Sequence, residues 1–355
     1  MTALAVRVAR VPRSTLVQSL GVVVVGGLVL LLLTELLGAY NDLQLATGAY
    51  YFAALAGLTV LIGVNGQLSL GHGAFMAVGA YTVALLVGKQ GWALFPALIA
   101  GILTTSVIGI AVGAAATRLR GPYLAGATLA FAIGLPGLAL KFSGLFGGDN
   151  GLAINPPTPP SALGSSFPLE RWEAWLACIG ALVVMFVLYN LLHSGSGRGL
   201  RAVRDDEIAA SLCGMHVART QTFTFVISAA CAGLAGGLFA LVTQLASPGA
   251  FTLQLSLSLL TAVVLGGLGS LTGAIWGAAL LVLLPGWSND LAHSFSLSQN
   301  VSANLELGIY GVILIGAMLV WPGGIQGGLR ALGRKLPFKG LPLVAGPKPT
   351  AGGKK

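Results

Sequence analysis

Charged side chains are scarce in this chain of 355 residues, because Asp, Glu, Lys and Arg together make up only 8% of it. A soluble domain typically carries about 25% charged residues. Hydrophobic residues make up 55% of the sequence, and its mean hydropathy is +0.88. This composition excludes an ordinary soluble enzyme and predicts an all-α polytopic membrane protein.

The sequence also lacks the familiar patterns of catalysis and cofactor binding. It contains no GxxxxGK[ST] loop for nucleotide phosphates, no HExxH pair and no GxSxG elbow. The three cysteines, Cys178, Cys213 and Cys231, are isolated, with neither metal-ligand spacing nor a disulfide framework. We therefore expect no catalytic residue, no metal site and no cofactor.

Long apolar runs fill most of the chain. A helix needs roughly 20 apolar residues to cross a bilayer. Ten candidate spans meet this requirement, at about 16–37, 46–63, 67–87, 93–116, 122–140, 174–192, 222–245, 252–269, 272–288 and 304–321. Very little sequence separates the second span from the third, so a broken or re-entrant segment is the alternative there.

The charges between the spans predict an orientation. If the N-terminus is inside, the turn with Arg118 and Arg120 and the stretch 194–221 are cytoplasmic. The loop 141–172 is then external, and three acidic residues, Asp149, Glu170 and Glu173, lie in it or next to it with only two basic ones, Lys141 and Arg171. This arrangement follows the positive-inside rule. It also places both termini in the cytoplasm.

The chain divides into a basic N-terminus at 1–15, a permease domain at 16–328 and a basic, disordered tail at 329–355. The formal net charge of +9 is concentrated at the two ends. Basic ends beside membrane segments indicate contact with anionic lipid. We therefore expect membrane lipid, and no nucleic acid, among the partners.

Acidic residues are rare in the predicted spans. Glu35, Asp42, Asp290 and Glu306 all fall near predicted external ends. A proton- or sodium-coupled carrier more often places an acid near the middle of the membrane. Their positions disfavour an ion-coupled transporter that works alone.

One polar stretch, NGQLSLGHGAFMAVGAY, begins at Asn65 inside an apolar region. Polar groups at membrane depth usually face the interior of the helix bundle or a water-filled path. Broken helices are a common way to build substrate sites at mid-membrane. The candidate path residues are therefore Asn65, Gln67, Ser69 and His72, and the alternative for His72 is a hydrogen-bonded structural histidine.

A charged island lies between two apolar runs, from Ser194 to Gln221. A short helix is predicted from Asp205 to Gly214, with three acidic residues in its first turn. Ile208, Leu212 and Met215 would form an apolar stripe along that helix. Such a helix suits either docking in a groove of a partner or a solvated loop on the membrane surface.

Five motifs occur in an order that resembles a known family. They are GQLSLGHGAFMAVGAY, RLRGPYLAGATLAF, GGDNGL, GRGLRAVRDDEIAASLCGM and GGLGSLTGAIWGA, followed by WPGGI. Together, from Leu58 to Gly328, they look like the LivM-like permease subunit of branched-chain amino-acid ABC importers. The resemblance implies a transport subunit of a bacterial inner membrane, and not an enzyme.

The resemblance also implies partners. These are a second, LivH-like permease, two ATPase subunits and an extracytoplasmic substrate-binding protein. The island then corresponds to the coupling loop, where ABC permeases carry a Glu-Ala-Ala-x-x-x-Gly pattern. Here Glu207 sits one residue early, because Ile208 intervenes. The implied coupling residues are Arg204, Asp206, Glu207, Ile208, Ala209, Ala210, Leu212 and Gly214.

Related permeases serve importers of urea, short amides and aromatic acids, so the substrate stays open between these and hydrophobic amino acids. An ion-coupled secondary transporter and an intramembrane enzyme that uses His72 are the alternatives from other functional classes. The absence of a second catalytic group near His72 disfavours the enzyme.

Overall fold

The computed structural model describes residues 13–36, 38–118, 122–155, 158–160, 167–294, 308–309, 311–312, 316 and 323–335. Within these ranges the chain is almost entirely helical. The helices are α1 (Arg13–Leu36), α2 (Ala39–Leu58), α3 (His72–Val83), α4 (Leu94–Ala116), α5 (Pro122–Lys141), α6 (Ser143–Phe146), α7 (Leu169–His193), α8 (Gly195–Asp205), α9 (Glu207–Leu212), α10 (Val217–Val242), α11 (Leu253–Gly266), α12 (Leu271–Ser294) and α13 (Gly324–Lys335). Two π-helical turns, Thr59–Val64 and Ala84–Lys89, extend α2 and α3.

Nine of the ten predicted spans coincide with helices in the described part of the chain. Seven of these helices are long and apolar enough to cross a membrane, whereas α11 and the first part of α12, Leu271–Trp287, are shorter apolar segments. The tenth predicted span, 304–321, lies mostly outside the described residues, as do most of the two terminal segments. The prediction of an all-α polytopic membrane protein is confirmed.

Helix α10 lies at the centre of the bundle, packed against α4, α3 and α2. Small residues allow this close packing. A Cβ atom at Gly79 would overlap the Gly233 carbonyl, and one at Gly236 would overlap the Met76 carbonyl. Membrane helices approach closely where such small residues meet. Here the contacts between glycines hold α3 and α10 together within one subunit.

Helix α7 packs against α2 and α1, and α1 lies at the periphery. Arg171 at the start of α7 joins these three helices, since its guanidinium lies 3.3 Å from a Glu35 carboxylate oxygen and 3.8 Å from one of Asp42. Both carboxylates belong to the end of the bundle that carries the loop 141–172. They therefore have a structural partner in Arg171.

The loop 141–172 contains short elements of secondary structure. Its described residues contain α6, a 3-10 turn at Gly148–Asn150 and a two-residue strand, β1 (Leu152–Ala153). Strand β1 pairs antiparallel with β2 (Leu245–Ala246), which follows α10. This pairing ties the loop to the central helix at the end of the bundle opposite α8 and α9.

Candidate functional site

The predicted break between the second and third spans is present. The helix that begins at Ala39 ends with the π-helical turn at Val64, and α3 starts at His72. Residues 65–71 between them form neither helix nor strand. Gly66 has a φ of +78°, a left-handed conformation that favours glycine and turns the chain out of the helix.

The segment 65–71 runs back along α2 instead of leaving the bundle. His72 Nε2 lies 2.9 Å from the carbonyl oxygen of Ala54. Ala54 precedes Val64 by ten residues in a helix, a distance of about 15 Å at 1.5 Å per residue. Helix α3 therefore begins deep in the bundle, and the extended segment covers the distance between the helix end and that depth.

Burial alternates along the extended segment. Asn65, Gln67 and Ser69 are buried, with exposures of 3%, 6% and 1%, whereas Gly66 and Leu68 are exposed. Asn65 itself keeps a helical backbone, with φ −104° and ψ −10°, and Gly66 is left-handed, so the alternation includes the turn as well as the residues after it. The predicted path residues thus point into this subunit, and the opposite edge of the segment forms its outer surface.

The buried edge is held by hydrogen bonds from several helices. Thr128 Oγ1 of α5 accepts from the Leu70 amide at 3.0 Å, and Ser256 Oγ of α11 accepts from the Gly73 amide at 3.1 Å. Because a carbonyl can only accept, His72 must carry its proton on Nε2 when it donates to Ala54. This geometry matches the structural alternative for His72.

Some polar atoms of this edge have no partner within the described part of the chain. They are both side-chain amide atoms of Asn65, the Oε1 atom of Gln67 and the Nδ1 atom of His72. Buried polar groups are usually paired with protein or water. Their inward direction shows that a path along these side chains would require the helices to move apart.

The charged island forms two helices instead of the single helix that was predicted. Helix α8 ends at Asp205, and Asp206 breaks the helix with extended backbone. The Asp206 carboxylate accepts from the amides of Ile208 and Ala209 at 2.8 and 3.0 Å, so it is the N-cap of α9. The prediction that Asp205 lies in the first turn of the docking helix was therefore wrong, because Asp205 ends α8 and Asp206 caps α9.

The apolar stripe is reduced to two residues. The side chains of Ile208 and Leu212 are 74% and 83% exposed, whereas Met215 turns back against Gly199 of α8. Ala210 is 5% exposed and faces this subunit rather than a partner. Substitution of Ala210 would consequently disturb the hairpin itself and would not report on docking.

The remaining island residues hold α9 in place. Gly214, with a φ of +83°, follows the end of α9 as predicted. Glu207 Oε1 accepts a hydrogen bond from Gln221 Nε2 of α10 at 2.7 Å, so Glu207 is an internal tie as well as a surface charge. Ala209 is exposed beside the two apolar residues.

Arg204, one of the implied coupling residues, does not point toward the exposed face of α9. Its Nη1 atom donates to the carbonyl oxygen of Gly63, at the end of the π-helical turn. The polar stretch and the charged island, which the sequence presents as separate motifs, therefore meet in the fold. Sequence reasoning missed this contact, along with the roles of Thr128 and Ser256, although both are polar residues inside apolar runs.

Comparison with known proteins decides the family. Residues 39–320 match the family described as the permease component of the branched-chain amino acid transport system. The chain belongs to this family. The expectation of a multi-pass transport subunit rather than an enzyme is confirmed by this match.

Individual relatives agree with the family. The chain is 34% identical over 257 residues to the high-affinity branched-chain amino acid transport system permease protein LivM of Escherichia coli, a match that covers 66% of this chain and 56% of that protein. It is 24% identical to the probable LivM protein of Methanocaldococcus jannaschii, over 64% of this chain and 68% of that protein. It is also 31% identical to E. coli LivH over 153 residues, which cover 43% and 46% of the two chains. The match to E. coli LivM thus spans little more than half of that relative's length.

Proposed function

We propose that this chain is a transmembrane permease subunit of an ABC importer for branched-chain or other hydrophobic amino acids. It forms the translocation path with a second, LivH-like permease, and separate ATPase subunits drive transport. The observation that carries this proposal is α9, a short helix at one end of the bundle that presents two large, exposed apolar side chains. Exposed apolar groups on a fixed helix suit a groove in a partner protein.

The ATPases are expected at the end of the bundle that carries α8 and α9. Two ties fix this hairpin to the membrane helices. Arg201 Nη2 donates to the Leu192 carbonyl at the end of α7, and Glu207 joins α9 to α10. A partner that pushes on Ile208 and Leu212 therefore acts on the bundle through short connections. This end would be cytoplasmic in a bacterial inner membrane, with both termini on the same side.

The outer edge of the segment 65–71 supports a path on one face of the subunit. Irregular backbone at membrane depth is tolerated only where it is buried in protein or lines water. Gly66 and Leu68 are exposed on the subunit surface, so lipid is an unfavourable neighbour for this edge. We assign this edge to the path or to the second permease beside it.

Helix α5 continues the same face, because Thr128 holds the extended segment against it. Its exposed side carries Gly126, Ala130 and Gly134, and a Cβ atom at either glycine would meet no other atom within 4 Å. Small residues at this spacing allow another helix to approach closely. Similarity to both LivM and LivH of one organism supports a second permease of this kind as the neighbour.

Large apolar side chains are exposed on several faces of the bundle. Val17 of α1, Val107 of α4 and Ile179 of α7 are each more than half exposed, and so are Tyr123 and Ile133 of α5. Such side chains suit lipid tails. The small residues of α5 therefore carry our assignment of the second permease to this helix, and we assign the lipid to α1, α4 and α7. The external substrate-binding protein belongs at the opposite end, near β1 and β2.

Uptake by the reconstituted complex tests the proposal. The chain, its second permease and the ATPases would be purified together and placed in proteoliposomes with the binding protein. We expect uptake of labelled leucine that requires internal ATP and is blocked by excess isoleucine or valine. Competition by urea, a short amide or an aromatic acid in place of these amino acids would reassign the substrate. Uptake driven by an ion gradient without the ATPases would refute the ABC mechanism.

A further inference from the structure

Among the described residues, the Gly63 carbonyl accepts no backbone hydrogen bond, because the chain leaves the helix just after it. The amides of Asn65, Gly66 and Gln67 donate to the carbonyls of Val60, Ile62 and Leu61. The last carbonyls of a helix need partners from elsewhere. Arg204 of α8 supplies that partner with a charged donor.

Arg204 also contacts the turn through its apolar stem. A Cβ atom at Gly66 would lie 3.1 Å from Arg204 Cγ, so the arginine stem lies against one side of this exposed glycine. An arginine fits this position because its stem packs while its planar head donates. A smaller residue would leave both the carbonyl and the glycine uncovered.

The turn at Gly63 is held from a second direction. A Cβ atom at Gly63 would overlap the backbone of Gly269, in the turn between α11 and α12. Ser270 of that turn accepts a hydrogen bond from Arg330 of α13 at 3.2 Å. The end of α2 is thus enclosed by α8 on one side and by the α11–α12 turn on the other.

Helices α8 and α9 are joined directly at Asp206, without a flexible linker. The Asp206 amide donates to the Ala202 carbonyl of α8, and the Asp206 carbonyl accepts from Ala210 of α9. A displacement of α9 is therefore carried to Arg204, which lies at the end of α8. From there it reaches the carbonyl that precedes the extended segment.

We propose that Arg204 is a positioning residue that transmits movement of the α8–α9 hairpin to the segment 65–71. It acts on transport through Gly63 and Gly66, and it contributes little to the docking of the ATPase. This assignment rests on the proposed function, because it requires ATPases bound at α9. It differs from that function in predicting a variant that keeps the ATPases and loses their coupling to transport.

The test uses the complete complex in proteoliposomes. We expect Arg204→Ala to retain the ATPases and to hydrolyse ATP, while the amount of amino acid imported per ATP falls about tenfold, the effect of losing one charge-assisted hydrogen bond. Arg198→Ala is the matched control, since it removes the same charge from the same helix. In the described part of the chain, the Arg198 side chain makes no hydrogen bond or ion pair with the turn. Arg204→Lys should restore part of the coupling.

A second readout does not depend on transport. A single cysteine at Leu68, which is 50% exposed, would be placed in a chain in which Cys178, Cys213 and Cys231 are replaced by serine or alanine. We expect its labelling rate to change when ATP binds in the otherwise unaltered complex, and to stay constant with Arg204→Ala. If the Arg204→Ala chain does not fold, Arg204→Lys is measured in its place, with a reduced response expected.

Three results distinguish a positioning role of Arg204 from a docking role and from a failure of the proposed function. Normal import per ATP and a normal labelling response in Arg204→Ala would overturn the proposal. Loss of the ATPases from that variant would also overturn it, because Arg204 would then be a docking residue. Failure of the unaltered chain to bind any ATPase would instead refute the proposed function.

Discussion

Truncation of Leu212 to alanine is expected to weaken the binding of the ATPase subunit. Leu212 is 83% exposed in this chain, so nearly all of its apolar surface is available for burial by a partner. The change removes about three carbon groups, at about 0.8 kcal/mol for each buried CH₂. The loss is therefore about 2 kcal/mol, which corresponds to roughly thirtyfold in Kd.

The fold itself should tolerate this change. An exposed side chain contributes little to packing within the subunit, and surface substitutions usually alter stability by less than about 0.5 kcal/mol. Leu212→Met is a volume-conserving control that should bind nearly as well as the unaltered chain. Leu245→Ala is a second control, because Leu245 is 39% exposed at the opposite end of the bundle.

The assay is a titration of purified ATPase subunit onto the permease pair in nanodiscs, with thermal unfolding measured in parallel. We expect the Kd to rise for Leu212→Ala and to stay within about twofold for both controls, since only the first removes a buried anchor. A Kd for Leu212→Ala that equals that of the unaltered chain would show that α9 does not dock by its apolar face.

Three further predictions follow from the geometry. A single cysteine at the exposed Asn150 should label only from the external side, and labelling only from the cytoplasmic side would reverse the topology. Leu68→Trp, on the outer edge of the extended segment, should reduce transport in an assembled complex. Ser69→Leu should instead lower the yield of folded protein, because Ser69 is 1% exposed and overpacking costs about 1–3 kcal/mol. The reverse pattern would place the path on the inner edge. Gly79→Ala should lower the thermal unfolding temperature, because the added Cβ atom would overlap the backbone of α10. Gly21→Ala is the control, since its Cβ atom would meet no described atom within 4 Å and should leave this temperature unchanged. Equal unfolding temperatures for the two variants would contradict the packing.

The spans were predictable because length and apolarity alone decide whether a helix can cross a bilayer. The break after Val64 was also predictable, since glycines and polar residues accumulate there. The sequence left two directions open for the polar residues, the bundle interior and a water-filled path. The structure selects the interior for Asn65, Gln67 and Ser69, because these residues are buried while Gly66 and Leu68 between them are exposed.

The contact between Arg204 and Gly63 could not be predicted from the sequence. Its direction depends on a carbonyl that is 141 positions away and is freed only when the helix ends. The predicted start of the docking helix was wrong for a local reason. Asp205 and Asp206 are equivalent in a charge pattern, and the hydrogen bonds to Ile208 and Ala209 select Asp206 as the cap.

The composition of the native complex tests the central claim most directly. The chain would be expressed with its neighbouring transport genes, extracted in mild detergent and weighed by native mass spectrometry. The account predicts one assembly that contains this chain, a second permease and two ATPase subunits, and that loses the ATPases when Leu212 is replaced by Asp. An assembly of this chain without any ATPase, or one that keeps its ATPases with Leu212→Asp, would contradict the account.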